Sequence, residues 1–316
     1  MVRTTIDRNI MINLFKIALW VVVMFSTTMA WAKVNVVSTL PDYGALVQML
    51  GGDHVNVRSL SSPLEDPHYV DAKPSFIVAL NRADLVIANG LELEIGWLPN
   101  LIDQSRNPGI QLGQPGFFEV AAFVPDLLEV VRGSLDRSMG DIHPGGNPHY
   151  YHDPRRMGVL LPALAKRLIA LDPTNRAEYE QNLKQAQAEF TAFVKEIRLK
   201  FAKLPPEQRR VVAYHKSLSY LLDTLGVTVV AHLEPKPGVA PTPGHVAKIL
   251  SLMKRENIGI IIHEEHYPAK TSETLAKLVG GRVVKMVGGT QEGETYLTHI
   301  RKITDNLYKA LARKAS

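Results

Sequence analysis

From Val34 onward the chain moves between two rhythms of apolar and polar positions. Short β-branched runs, "VNVVST" (34–39), "VNVRSL" (55–60) and "DLVIANG" (84–90), read as strands. Between them, "DYGALVQMLGG" (42–52) and "KPSFIVALNRA" (73–83) read as helices, the first closed by glycine. The same grammar returns in the second half. "RRVVAYH" (209–215), "VTVVAHL" (227–233), "IGIIIHEEH" (258–266) and "RVVKMVGG" (282–289) read as strands. "SLSYLLDTLG" (217–226), "TPGHVAKILSLMKRENI" (242–258) and "SETLAKLVGG" (272–281) read as the helices between them. Repeated βα units of this kind predict an α/β fold of two lobes, each a mostly parallel sheet flanked by helices.

One segment keeps a helical period for much longer. Tyr179, Leu183, Ala186, Phe190, Phe193, Ile197 and Phe201 recur every three or four residues, and Pro205-Pro206 stops the pattern. The spacing predicts a single helix of about 30 residues, roughly 45 Å long, running the length of a two-lobed molecule. A coiled-coil dimer is the competing reading, but the stripe lasts only about four heptads and is aromatic. The division expected is an N-terminal lobe over 33–173, a rigid linking helix over 174–204 and a C-terminal lobe over 205–316.

The first 32 residues read as an address. Arg3, Arg8 and Lys16 precede an apolar run from Ile17 to Phe25, and Ala30-Trp31-Ala32 fits a small-x-small cleavage pattern. The run is about half the length of a membrane-spanning helix. An exported chain, cleaved near Ala32 and free in a Gram-negative periplasm, is therefore expected. The sequence has no cysteine, which removes a disulfide framework, a lipobox cysteine and any thiolate metal site. Beyond residue 32 the charge is nearly balanced, 33 basic against 30 acidic residues. Its basic residues are scattered and not interleaved with aromatics, so nucleic-acid binding is not expected. A monomer is.

Four polar segments fall at or near the carboxyl ends of the predicted strands, where open parallel sheets bind ligands. "SPLEDPHYVDAKPS" carries His68, "GGNPHYYHDP" carries His149 and His152, "VVAYHKS" carries His215, and "IIIHEEHYP" carries His263, Glu264, Glu265 and His266. A lone histidine in such a place is usually a solvated or capping residue. Several converging on one crevice suggest a metal, since neutral imidazole is the commonest metal ligand. Asp153 before Pro154 reads as a helix N-cap.

"DPHYVDAKPS", "NPHYYHDP", "YHKSLSYL" and "EPKPGVAPTPGHV" together resemble the motifs of the cluster A-I substrate-binding proteins of ABC transporters, the periplasmic zinc and manganese receptors. The resemblance runs from about Val34 to the C-terminus. It implies that His68, His149 and His215 bind a divalent metal in the cleft between the lobes. It also implies that the long helix limits lobe movement, and that an ABC-transporter membrane permease receives the ion for uptake. In the family register His152 takes a position that is usually apolar, so it is read as a polar helix-start residue. Asp141 and His143, in "GDIHPGG", resemble in miniature the acidic, His-rich loop of some zinc receptors.

The chain departs from the family in one respect. The fourth ligand is often an Asp after the last strand of the second lobe, and "VGGTQEGETY" has none. Glu264 is the best substitute, with Glu265 and Glu292 behind it; water in the fourth position, or Glu264 orienting a ligand histidine, are the alternatives. Three imidazoles suit Zn²⁺ better than Mn²⁺, so zinc is expected as the transported ligand. A zinc-dependent hydrolase and a metal-binding adhesin are the competing functions. "HEEH" lacks the H-E-x-x-H spacing and helix of a metalloprotease, and no nucleophile elbow is present, so the chain is not read as an enzyme.

Overall fold

The protein is described by a computed structural model for residues 33–130, 143–236 and 238–313. The segment read as a signal peptide, with its cleavage site near Ala32, lies outside the described residues, as does Asp141. No helix among the described residues is long and apolar enough to cross a membrane.

The first lobe is built from β1 (Val34–Ser38), α1 (Pro41–Gly51), β2 (Val55–Ser59), α2 (Pro74–Asn81), β3 (Leu85–Ala88), α3 (Leu98–Ser105) and β4 (Phe117–Glu119). The helices α4 (Pro154–Leu171) and α5 (Arg176–Ala202) follow. The second lobe contains β5 (Arg210–Ala213), α6 (Ser219–Leu225), β6 (Thr228–His232), α7 (Pro243–Arg255), β7 (Ile260–Glu264), α8 (Lys270–Leu278), β8 (Arg282–Met286) and α9 (Tyr296–Ala312). Both sheets are parallel and share one topology, with orders β2-β1-β3-β4 and β6-β5-β7-β8. In each the order reverses beside the first strand, so a crevice opens beyond the carboxyl ends of β1 and β3, and of β5 and β7.

The predicted elements fall where the periodicity put them. The pattern passed over β4 and α3, which are short, and over α9. The last had a legible signal, since Tyr296, Ile300, Ile303, Leu307 and Ala310 make one buried stripe.

The long helix α5 is 27 residues, about 40 Å at 1.5 Å per residue. Six of the seven stripe residues are buried, and Leu183 packs against them at the edge. Its aromatic face is covered from within the chain. One continuous core joins Leu46 and Leu50 of α1, Phe190 and Phe193 of α5, Val211 of β5 and Ile300 and Leu307 of α9. Separate clusters back each sheet on its other face, around Phe76 and Leu101 in the first lobe and Ile249 and Leu275 in the second. A core shared by both lobes resists hinge motion, because rotation would expose packed apolar surface at roughly 25 cal/mol per Å².

The loop after β8 also touches the first lobe. Gly289 lies against Pro41, Asp42 and Pro63 so closely that a Cβ there would stand 2.8 Å from Pro41 Cγ. Thr290 donates its hydroxyl to Asp42 Oδ1 at 2.9 Å, and Asp42 Oδ2 has no hydrogen-bond partner. Burial pushes the Asp42 carboxyl up to about 7 from 3.8, against the opposing effect of the Thr290 hydrogen bond. The folded state therefore holds the proton more tightly than the unfolded chain does. The stability this contributes is complete below about pH 4 and is lost as pH rises through about 7. Asp42→Asn, which keeps the acceptor and removes the charge, should raise the melting temperature by several degrees more at pH 8 than at pH 4. Melting curves across that range check this; an equal shift at both pH values would contradict the assignment.

Candidate metal centre

The three histidines singled out by sequence meet at the mouth of the crevice. His149 opens a short 3-10 turn, His149–His152, just before α4. His68 lies in the loop beyond β2, and His215 lies two residues past the end of β5. Ring centroids are 5.1 Å apart for His68 and His149, 5.0 Å for His149 and His215, and 6.2 Å for His68 and His215.

Each ring is oriented by its own acceptor. Asp66 Oδ1 accepts from both the backbone N–H and the ring Nδ1 of His68, at 3.0 and 2.8 Å. Asn147 Oδ1 does the same for His149, at 2.9 Å in both cases. The two segments, Asp66-Pro67-His68 and Asn147-Pro148-His149, are one local device: an Asx side chain folds over a fixed proline onto the histidine two residues on. Trp97 Nε1 donates to Pro67 O at 3.0 Å and pins the first. Asn147 Nδ2 donates to Lys216 O at 3.1 Å and ties the second to the other lobe. His215 Nδ1 donates to Glu234 Oε2 at 2.5 Å, and its Nε2 is buried with no hydrogen-bond partner. With Nδ1 committed as donor, Nε2 of each ring is left as a lone pair.

Sequence reasoning missed Asp66, Asn147 and Glu234, although all three stand inside the quoted motifs. For two of them a signal existed, the Asx immediately before each Pro-His. Glu234 is reached only through the alignment of β6 beside β5.

Burial holds His149 neutral, well below its usual range, and its histidine neighbours His215 and His68 push the same way. At His215 burial also pulls downward, but the hydrogen bond and charge of Glu234, with Glu264 and Asp66 behind, outweigh it and leave the ring raised. Asp66 is lowered to about 2: burial acts against this, and the contacts with His68 overcome it.

Glu264, at the end of β7, is buried. Its Oε1 accepts from the Ser217 hydroxyl, its Oε2 has no hydrogen-bond partner, and burial raises its pKa. It lines a small cavity with His149, His152, Ser217 and His266. Glu265 and Glu292, the reserve carboxylates, are both exposed. His152 was read as a polar helix-start residue, and the structure revises that reading. It is 2% exposed, with its ring 4.3 Å from that of Tyr151 and with His299 and His266 close enough to lower its pKa further. Asp153 caps α4 as expected, accepting from Arg155 N at 3.0 Å. His263 is satisfied by Ser272 Oγ and Tyr267 O at 2.9 and 3.1 Å, and "HEEH" lies on a strand end and turn, so it forms no catalytic helix face.

No group of three His, Asp or Glu among the described residues is already set to hold a metal ion as it stands. What the fold brings together is the rings, with their donors oriented.

Comparison with known proteins places this arrangement. Residues 36–310 match the family model described as zinc-uptake complex component A, periplasmic. The manganese ABC transporter substrate-binding lipoprotein ScaA of Streptococcus gordonii is 23% identical over 297 residues, covering 91% of this chain and 92% of that protein. The metal ABC transporter substrate-binding lipoprotein SsaB of Streptococcus sanguinis is 22% identical over 89% of this chain and 90% of that one. A crystal structure of ZnuA superposes with a TM-score of 0.75 at 22% identity, covering 89% of this chain and all of that one. That of FpvC from Pseudomonas aeruginosa in complex with Mn²⁺ gives 0.72 at 23% identity, over 88% of this chain and 98% of that one. These likenesses bear out the two-lobed α/β fold.

They also correct the expected location. A chain free in the periplasm after cleavage near Ala32 does not stand beside streptococcal relatives named as lipoproteins. Lipid attachment of that kind uses a cysteine, and this sequence has none. What is supported is a periplasmic or extracellular location and nothing finer. The matched span covers nearly all of both lobes. The chain belongs to the family of zinc-uptake complex component A, the metal-binding substrate-binding proteins of ABC transporters, which are receptors and not enzymes.

Proposed function

We propose that this receptor captures Zn²⁺ through His68, His149 and His215 and hands it to an ABC-transporter permease. The observation that carries this is the set of three imidazoles, each with Nδ1 tied to a separate acceptor and Nε2 left to bind. A tetrahedral Zn²⁺ with Zn–N bonds of 2.0–2.1 Å places the ring centroids of two ligands about 5 Å apart. The His68–His149 and His149–His215 spacings of 5.1 and 5.0 Å match this, and the 6.2 Å between His68 and His215 leaves a small closure to be made. In this reading, residues 33–173 and 205–316 are the lobes, and 174–204 is the strut that holds them while the ligand loops settle on the ion.

Relatives such as the S. gordonii protein are named for manganese, which favours oxygen ligands more than zinc does. The predicted ligands here are all nitrogen. Glu264 supplies negative charge behind His215 and is held by Ser217, which suits a charge-compensating carboxylate. Calorimetric titration of metal-stripped protein should show one zinc site, at least 100-fold tighter than manganese. Equal or tighter manganese binding would move Glu264 into the ligand set and overturn zinc as the cargo.

A further inference from the structure

We propose that His143 is the fourth ligand of the metal site, completing a set of four imidazoles. This rests on the reading that His68, His149 and His215 hold the ion.

His143 stands at the start of a tight turn, with Gly146 N–H donating to its carbonyl at 3.0 Å. Its ring lies 5.2 Å from that of His68, and the two Nε2 atoms are 3.2 Å apart. The edge of a tetrahedral zinc–nitrogen site is about 3.3 Å, given bonds of 2.0–2.1 Å. The acceptors opposite the two Nδ1 atoms fix the tautomer of each neutral ring. His143 Nδ1 lies 2.7 Å from Leu91 O, a carbonyl that can only accept, so Nδ1 carries the proton. Asp66 Oδ1 already accepts the backbone N–H of His68 and takes the ring Nδ1–H of His68 as well. Both Nε2 atoms therefore present lone pairs to each other at 3.2 Å. That arrangement is repulsive unless a cation lies between or beside them, either a proton or a metal ion.

The chain is shaped to make this contact. Leu91 and Glu92 have φ of 53° and 62°, an uncommon conformation for residues with a Cβ. It aims the Leu91 carbonyl at His143, and strain of this kind persists where the surroundings require it. On the other side, Gly145 packs against the Leu91 side chain, where a Cβ would stand 2.7 Å from Leu91 Cδ2. Gly146, at φ 122°, turns the chain back to Asn147 and its hydrogen bond with Leu128. The fourth position left open by the loop after β8, whose Thr290 is engaged by Asp42, is filled from the first lobe. An all-imidazole set adds no anion, so Asp66 and Glu234, behind two of the rings, and Glu264 supply the compensating charge.

X-ray absorption on the zinc-loaded full chain should fit four imidazole nitrogens. In His143→Ala it should fit three and one light-atom ligand, and free imidazole should restore the fourth. Competition with a chromophoric chelator should show zinc affinity at least tenfold weaker in His143→Ala, with an unchanged melting temperature for the metal-free protein. A fit of three imidazoles in both proteins with equal affinity overturns the proposal, and the His68–His143 pair is then a shared-proton contact only. His149→Ala separates the two readings. If it abolishes binding while His143→Ala does not, the three-histidine site stands and the fourth ligand fails; if neither matters, the site itself is wrong.

Discussion

His149→Ala is expected to weaken zinc binding at least 100-fold, about 2.7 kcal/mol, while leaving the fold intact. His149 is 4% exposed and its ring is the one within 5.1 Å of both other predicted ligands. Removing it takes a bond from the middle of the set and cannot be made good by a small loop movement. His68→Ala should cost less, because its loop is partly exposed and water can replace a ligand near the surface. His152→Ala should leave affinity within a few-fold of the parent, since the ring of His152 packs on Tyr151 while that of His149 faces His68 and His215. Chelator competition at fixed pH measures all three. If His152→Ala were the damaging substitution and His149→Ala harmless, the assignment of ligand within "NPHYYHDP" would be wrong.

Asp153→Asn is expected to destabilise the protein by about 3–5 kcal/mol, the usual cost of stranding one member of a buried ion pair. Asp153 and Arg156 are buried, with Arg156 Nη1 2.6 Å from Asp153 Oδ2. The guanidinium also donates to Asp126 O at 2.9 Å and lies 4.3 Å over the Tyr220 ring. Thr224 of α6 donates to Asp153 Oδ1 at 3.0 Å. Tyr220 in turn donates to Asn147 O at 2.7 Å, next to the acceptor that orients His149. This network fastens the first turn of α4 to the second lobe directly behind the candidate metal centre. Asparagine preserves the cap on α4 but leaves the Arg156 charge buried without a counter-charge. The melting temperature should fall by roughly 10 °C, whereas Arg155→Ala, at a side chain 43% exposed, should change it little. A loss below about 1 kcal/mol for Asp153→Asn would show that water or another carboxylate reaches the arginine.

Much of the fold was legible before any coordinates. β-Branched runs and helical stripes are local signals, and each strand from Val34 to Met286 except β4 was marked by one. The stripe on α5 was equally plain, because seven apolar residues on one helix face must be covered by something. The stripe alone did not say what covers it: a second chain would have satisfied the same residues. Packing against α1, α4 and α9 decided this, since those helices bring the core of both lobes onto one face of α5.

The site divides in the same way. That His68, His149 and His215 would stand together was expected from the family resemblance, and from motifs near strand ends, where the geometry of parallel sheets gathers loops. Proline before a histidine, with Asx before the proline, is also a local device and belongs to the sequence. Convergence is not. His143 lies 75 residues from His68, and Glu234 lies 19 from His215; no periodicity relates either pair. His143 reaches His68 because Leu91 takes a left-handed turn and its carbonyl holds the His143 ring. Glu234 reaches it because β6 runs beside β5. By itself the sequence determined which residues can ligate and how the His68 and His149 rings are held, since those depend on neighbours two positions away. Tertiary structure alone decided which of them meet, because that depends on strand order, loop packing and the burial of charge across the two lobes.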